Sequence, residues 1–254
     1  MDGLAATRVG LSFGGIRVLH DLTLEVPAER VTALIGPNGA GKTSFFNCVS
    51  GLYRPSAGSL TFDGHDLVRR KPHRVAGIGI ARTFQNVALF PRLTVLENVL
   101  CGGHLQSRAG MIASALRFPP AVRDERRLVR DAMDALTRLG LQDLADHQPG
   151  DLPLGTMKRI EIARALVAKP RLLMLDEPAN GLDGTEVEEM AQLIRDLQAD
   201  LRIAILLVEH HMGMVMKISD DVIVLDQGRV IAQGDPLVVA KNPTVVEAYL
   251  GGTS

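Results

Sequence analysis

The sequence has no tryptophan, and aromatic residues make up only 4% of it. The aromatic girdle of a chain seated at a bilayer interface is therefore absent. Long apolar runs are absent too: the longest, such as 203–208, reach roughly a third of the ~20 residues that a transmembrane helix needs. The first ten residues, MDGLAATRVG, lack a charged segment followed by an apolar one, so no secretory leader is expected. Cysteine is scarce, with Cys48 and Cys101 alone. Two cysteines cannot build a disulfide framework and show no metal-ligand spacing, so both are expected as buried thiols in a reducing compartment. Neither sign of charge is in excess, with 28 Lys+Arg against 29 Asp+Glu and a net charge of -1. That balance speaks against a dedicated nucleic-acid binder, which carries a strong basic excess. No repeat, low-complexity segment or Ser/His/Asp triad is visible.

What is present is an ordinary globular composition, 46% hydrophobic and 22% charged over 254 residues. At roughly 150 residues per domain, that length means one large domain or two small ones. Such a chain buries about 70–75% of its unfolded surface and needs no metal or disulfide to hold together. The mean hydropathy of +0.13 is slightly high. It reads as a large Ala/Val/Leu core or as a modestly apolar docking surface. The first ~30 residues alternate and turn like short antiparallel strands, and Asp63-Gly64 is a hairpin turn pair. Residues 94–140 read as helical, with Leu128, Ala132, Ala135, Leu136 and Leu139 at helical spacing. The runs 31–35, 172–175, 203–208 and 222–225 are continuously apolar, as strands covered on both faces require. Helical segments separate the first three runs, which gives a βαβ pattern and a parallel sheet. Arg229-Val230-Ile231 reads as an edge hairpin, and 242–250 as a short helix opened by Asn-Pro.

Chemistry enters at Gly36-Pro37-Asn38-Gly39-Ala40-Gly41-Lys42-Thr43, which fits G-x-x-x-x-G-K-[ST] between an apolar strand and a helix-compatible run. Glycines let backbone N–H groups converge on phosphate oxygens. Lys42 supplies a charge for the β and γ phosphates. The Thr43 hydroxyl suits Mg2+, which prefers oxygen ligands. The helix starting near Lys42 aims its positive end at the same anion. A second group, Asp176-Glu177-Pro178, ends the 172–175 run, where open α/β sheets bind ligands. Asp176 suits Mg2+ held through water, and Glu177 suits polarising the attacking water. The bland alternative is a helix N-cap ahead of Pro178. Gln85 could reach the metal or the water, or be a surface amide. His210 closes the 203–208 strand near the other carboxyl ends, where an imidazole can meet a γ-phosphate, or be plain polar surface. Phe13 precedes Gly14-Gly15 and either stacks on adenine or fills the core.

Taken in order, Phe13, GPNGAGKT, Gln85, LPLGTMKR, LLMLDEP, Asn180-Gly-Leu-Asp183 and His210 resemble the ATP-binding subunits of ABC transporters over essentially the whole chain. PHRVAGIGIARTFQN, LFPRLTVLENV, KRIEIARALVAKPRLLMLDEPANGLD, LLVEHHM and NPTVVEAYLGG are similar to the larger ATP-binding subunit of branched-chain amino acid importers. The resemblance implies an α/β P-loop NTPase fold with a parallel-sheet core, an antiparallel β subdomain and a helical subdomain. It implies one ATP-binding domain over 1–254, with the helical part inserted at about 94–160. It implies ATP and Mg2+ as cofactors. Phe13 stacks on adenine with Val18 beside it, residues 36–43 form the Walker A loop, and Ser44 is a further phosphate contact. Gln85 links the metal site to the transmembrane partner. Asp176 is the magnesium carboxylate, Glu177 the general base, Asp183 a dimer-interface residue and His210 the switch histidine. Each ATP is then sandwiched between one subunit's Walker A loop and the other's signature. Closure on ATP and reopening on hydrolysis move two permease subunits, which take solute from a binding protein. The expected location is peripheral, on the cytoplasmic face of the inner membrane, with no nucleic-acid partner.

One departure stands out. The family signature is Leu-Ser-Gly-Gly-Gln, or Leu-Ser-Tyr-Gly-Gln in the branched-chain group. Here it is Leu152-Pro153-Leu154-Gly155-Thr156. Pro153 replaces the Ser that reaches the opposite γ-phosphate and has no N–H. Thr156 replaces the Gln, while Gly155 remains. Losing one charge-assisted donor costs about 1.5–3 kcal/mol. Intact Walker motifs beside an altered signature suggest a heterodimer, in which this Walker A loop faces a partner's intact signature. A basic run, Arg69-Arg70-Lys71-Pro72-His73-Arg74, reads as a solvated face or as a contact for lipid headgroups. Two rival functions are a soluble ABC ATPase on DNA or ribosomes and a nucleotide sensor with weak turnover. The first calls for a coiled-coil insert, paired cassettes or a basic face, none of which is visible. Glu177 and His210 argue against the second, and Pro153 mildly for it.

Overall fold

The computed structural model describes residues 3–83, 87–106 and 119–250. Strands β1 (Leu4–Phe13) and β2 (Ile16–Val26) form an antiparallel pair that turns at Gly14 and Gly15, both at positive φ. β3 (Val31–Ile35) follows, buried at every residue, and leads into helix α1 (Lys42–Val49). The chain then returns to the first sheet as β4 (Ala57–Phe62) and β5 (His65–Asp66). That pair turns at Asp63-Gly64, as the turn chemistry predicts. The antiparallel sheet has the order β2-β1-β4-β5.

A short helix α2 (Pro72–Ala76) precedes β6 (Ile80–Arg82). Helices α3 (Val95–Leu100), α4 (Pro119–Arg138) and α5 (Leu154–Leu166) come next. A capping box between Thr94 and Glu97 starts α3. Asn98, fully buried, pins the preceding loop by accepting from Phe90 N–H and donating to the carbonyls of Phe90, Leu93 and Thr94. The apolar face of α4 buries Ala132, Ala135 and Leu136, with Leu139 buried just past its end, as the spacing predicts.

The second sheet is completed by β7 (Leu172–Asp176), α6 (Gly184–Leu201), β8 (Ala204–Val208), α7 (Met212–Ile218), β9 (Asp221–Asp226) and β10 (Arg229–Gly234). Helices α8 (Pro236–Val239) and α9 (Pro243–Leu250) end the described chain. The strand order is β10-β9-β3-β8-β7-β6. All pairs are parallel except the edge hairpin β9–β10. The alternation of side chains along a strand splits the core. Leu173, Leu175, Ile205 and Leu207 face Val99, Leu136, Ile160 and Ile194 on the helices. Leu172, Met174, Leu206 and Val208 face Phe45, Phe46 and the antiparallel sheet. Truncating such a buried leucine to alanine costs roughly 2–5 kcal/mol.

One expectation is overturned and one open alternative is closed. Cys48 is buried but Cys101 is exposed, its Sγ donating to Glu97 O at 3.3 Å. Phe13 is not a core aromatic: it is 45% exposed and meets Tyr53 edge-on at 5.0 Å. It sits at the tip of a two-glycine turn, where no neighbouring layer covers it.

Candidate functional site

The strand register brings four carboxyl ends together. Asp176 lies opposite Val208, Leu34 opposite Val208, and Arg82 opposite Met174. Residues 36, 83, 177 and 209 therefore leave the sheet along one edge, where parallel sheets place ligands.

Gly36 leaves β3 at φ 148, and a Cβ there would lie 2.0 Å from Leu225 O. Gly41 caps α1 at φ 103, where a Cβ would strike Leu19 Cδ2 at 2.8 Å. The loop between them can only follow this path with glycine at both positions. The first N–H groups of α1 have no acceptor within the helix and point into the loop. Lys42 is buried and donates to Gly36 O at 2.7 Å and Pro37 O at 3.0 Å. Burial pushes its pKa down, against the pull of the Glu177 and Asp176 carboxylates. A cleft of about 360 Å³ is lined by Val18, residues 38–44, Glu177 and His210. Sequence positions more than 160 apart thus share one phosphate-sized space, with Lys42 as its cation.

Asp176 ends β7 at 5% exposure, paired with Arg82 at 2.8 Å. Its N–H donates to Thr83 Oγ1 at 3.3 Å. Arg82 also donates to Asn47 Oδ1 at 2.7 Å and Ser50 Oγ at 3.2 Å, and its guanidinium lies 5.3 Å from the Phe46 centroid. Among the described residues no group of three or more His, Cys, Asp or Glu could hold a metal ion. The oxygen donors of the kind Mg2+ prefers are the Asp176 carboxylate and the hydroxyl of the exposed Thr43.

Glu177 adopts φ 51, a left-handed conformation that costs about 1–3 kcal/mol outside glycine. It is held there by Glu177 N–H donating to Val208 O at 2.9 Å and by Lys158 Nζ donating to Glu177 O at 2.9 Å. No helix begins at Pro178, so the N-cap alternative fails: α6 starts eight residues after Asp176, capped by Asp183. Glu177 Oε1 lies 2.7 Å from His210 Nε2, close enough for a charge-assisted hydrogen bond with the proton on Nε2.

Other predicted residues fall elsewhere. Gln85 lies outside the described residues. The segment 152–156 does not line the cleft. Pro153 caps α5 with no side-chain bond. Gly155 packs beside Leu182 and Glu186, and Leu154 beside Gly181. The Asp183 carboxylate accepts the N–H groups of Thr185 and Glu186, both at 2.9 Å. In the basic run Arg69, Lys71, His73 and Arg74 are exposed. Sequence reasoning assigned nothing to Arg82, Asn47, Lys158 or Glu209. For Glu209 the available signal was a carboxylate directly between an apolar strand and His210; for Lys158 and Asn47 there was none.

A parallel sheet with a Gly-rich loop feeding a helix, and two acids at the next strand's end, defines a P-loop nucleotide-binding protein. Residues 19–180 match the ABC transporter family. Residues 229–253 match the branched-chain amino acid ATP-binding cassette transporter family. The chain is 39% identical over 248 residues to the high-affinity branched-chain amino acid transport ATP-binding protein BraF of Pseudomonas aeruginosa, across 98% of this chain and 97% of that one. It is 40% identical to the protein LivG of the same description from Escherichia coli, with the same coverage. A crystal structure of an ATP-binding cassette of an ABC transporter in its ADP conformation superposes with a TM-score of 0.86, at 30% identity and 99% coverage of both chains. The chain belongs to the ABC transporter family, as one of its ATP-binding proteins. Its activity is the hydrolysis of ATP to drive transport.

Proposed function

We propose that this chain powers the import of branched-chain amino acids, working beneath two permease subunits that receive solute from a binding protein. The names of its relatives and the C-terminal family match over 229–253 support this cargo. Among the described residues no helix is long and apolar enough to cross a membrane. The importer reading, not this absence, places the chain on the cytoplasmic face of the inner membrane, held by the permeases.

The observation that carries the hydrolytic role is the Glu177–His210 contact of 2.7 Å at the wall of the P-loop cleft. Loop amides and Lys42 bind the β and γ phosphates. Thr43 and Asp176 would hold Mg2+, which would supply charge neutralisation at the phosphate oxygens. Glu177 takes up the proton of the attacking water as general base. His210 holds Glu177 and faces the γ-phosphate. Phe13, exposed at its turn, and Val18 in the cleft wall suit adenine. Gln85 carries the signal to the permease.

Within an assembled pair, residues 152–156 meet the partner's nucleotide and Asp183 lies at the shared interface. Pro153 removes one donor from that second site, at about 1.5–3 kcal/mol. We therefore assign this chain to a heterodimer, where its own Walker A loop meets an intact signature. Uptake of labelled leucine by proteoliposomes holding the full transporter tests the cargo, and ATP-dependent leucine uptake is expected. Uptake of another solute with none of leucine, isoleucine or valine overturns the cargo. Comparing ATPase of the chain alone with the reconstituted pair tests the asymmetry, and full activity alone overturns it.

A further inference from the structure

Glu209 is 1% exposed, between the last residue of β8 and His210. Its carboxylate accepts three backbone N–H groups from two separate turns. Oε1 takes Ala179 N–H at 2.7 Å. Oε2 takes His210 N–H at 2.8 Å and His211 N–H at 3.1 Å. Ala179 follows Glu177 by two residues, so one buried anion ties the turn that carries Glu177 to the turn that carries His210. Burying a carboxylate is costly unless it is hydrogen-bonded and paired. The amides meet the first need. Lys158, 6% exposed on α5, lies near enough for the Glu209 charge to act on it, although its ammonium bonds elsewhere. Burial pushes the Lys158 pKa down, while Glu209, then Glu161, then Glu177 pull it back up. The same ammonium donates to Glu177 O, so it holds the strained residue from the other side.

We propose that Glu209 is a positioning residue for ATP hydrolysis, with Lys158 as its counter-charge, and that together they hold the Glu177 carboxylate against His210. This rests on the reading that Glu177 and His210 act on ATP. Glu209 itself does not line the P-loop cleft. The chemistry demands an anion here. A glutamine offers one acceptor oxygen and a donor amide, so the amide would face an N–H and one of the two turns would lose its anchor. A purely structural group would tolerate that change wherever the fold survives.

The test is steady-state ATPase of the full chain with its partners, for wild type, Glu209→Gln, Lys158→Met and Glu177→Gln. Glu209→Gln should lower kcat on the order of 10-fold or more, because a displaced Glu177 is a poorer general base. The KM for ATP should stay within about twofold, because interactions made only in the transition state change kcat alone. The His210 imidazole 15N resonances should shift as its bond to Glu177 loosens. Lys158→Met should move kcat the same way, and it decides the matter if Glu209→Gln does not fold. A kcat within about twofold of wild type with unshifted His210 resonances overturns the proposal. So does a joint change in kcat and KM that tracks lost thermal stability. Full activity in Glu177→Gln sinks the underlying reading. An inactive Glu177→Gln beside a fully active Glu209→Gln sinks this proposal alone.

Discussion

Replacing Arg82 should be among the most damaging single changes outside the P-loop. Its side chain is 9% exposed and that of Asp176 5%, at 2.8 Å from each other. Arg82→Met keeps most of the apolar stem over Phe46 but leaves the Asp176 carboxylate buried without its cation. Removing one partner of a buried pair costs about 3–5 kcal/mol. The bonds to Asn47 and Ser50 add about 1 kcal/mol each, in part already counted in that figure. We expect a loss of about 4 kcal/mol, against the ~5–15 kcal/mol that holds an ordinary domain. The double variant Arg82→Met/Asp176→Leu buries no charge and should recover much of that loss, with a coupling energy of about 2–3 kcal/mol. With no tryptophan to report, urea unfolding followed by far-UV circular dichroism is the assay. A single-variant loss below about 1 kcal/mol, with additive effects in the double, would refute the reasoning.

Three further outcomes follow from particular contacts. Burial pushes the Cys48 thiol up to about 12, so at pH 8 a maleimide should label the exposed Cys101 and leave Cys48 intact in the folded protein; mass spectrometry of labelled peptides checks this. At Asp220 burial raises the carboxyl pKa, but the Arg195 side chain, Val31 N–H and Arg30 outweigh it and leave the pKa below the ordinary 3.8. A depressed folded pKa gives stability that is present above 3.8 and lost as pH falls through the folded value. Asp220→Asn should therefore cost about 1 kcal/mol at pH 7, with the gap to wild type in urea midpoints closing below pH 3.8. Gly36→Ala places a Cβ 2.0 Å from Leu225 O at φ 148 and should cost about 2 kcal/mol while weakening ATP binding, as calorimetry with ATP would read.

Much of the fold lies open in the sequence because its central strands are covered on both faces. VTALI, LLMLD and AILLV are almost uninterrupted apolar runs, and each proves to be a fully buried strand of the parallel sheet. Strand β6 is not legible: three residues, one of them Arg82, carry no periodicity. The P-loop is legible because its backbone path restricts the residue types. Arg82, Lys158 and Glu209 are not, because their partners lie 94, 19 and 30 residues away and only the fold brings them together. Cys101 departs from the buried thiol that its residue type suggests, since a thiol at a helix end has no layer above it.

The most direct test of the account is ATP hydrolysis by the assembled transporter carrying Glu177→Gln, beside a measurement of its ATP binding. Loss of a general base costs about 10²–10⁴-fold in rate. The account predicts a fall of that size with ATP affinity within a few-fold of wild type, because the P-loop, Lys42 and Thr43 are untouched. Hydrolysis at the wild-type rate would contradict it.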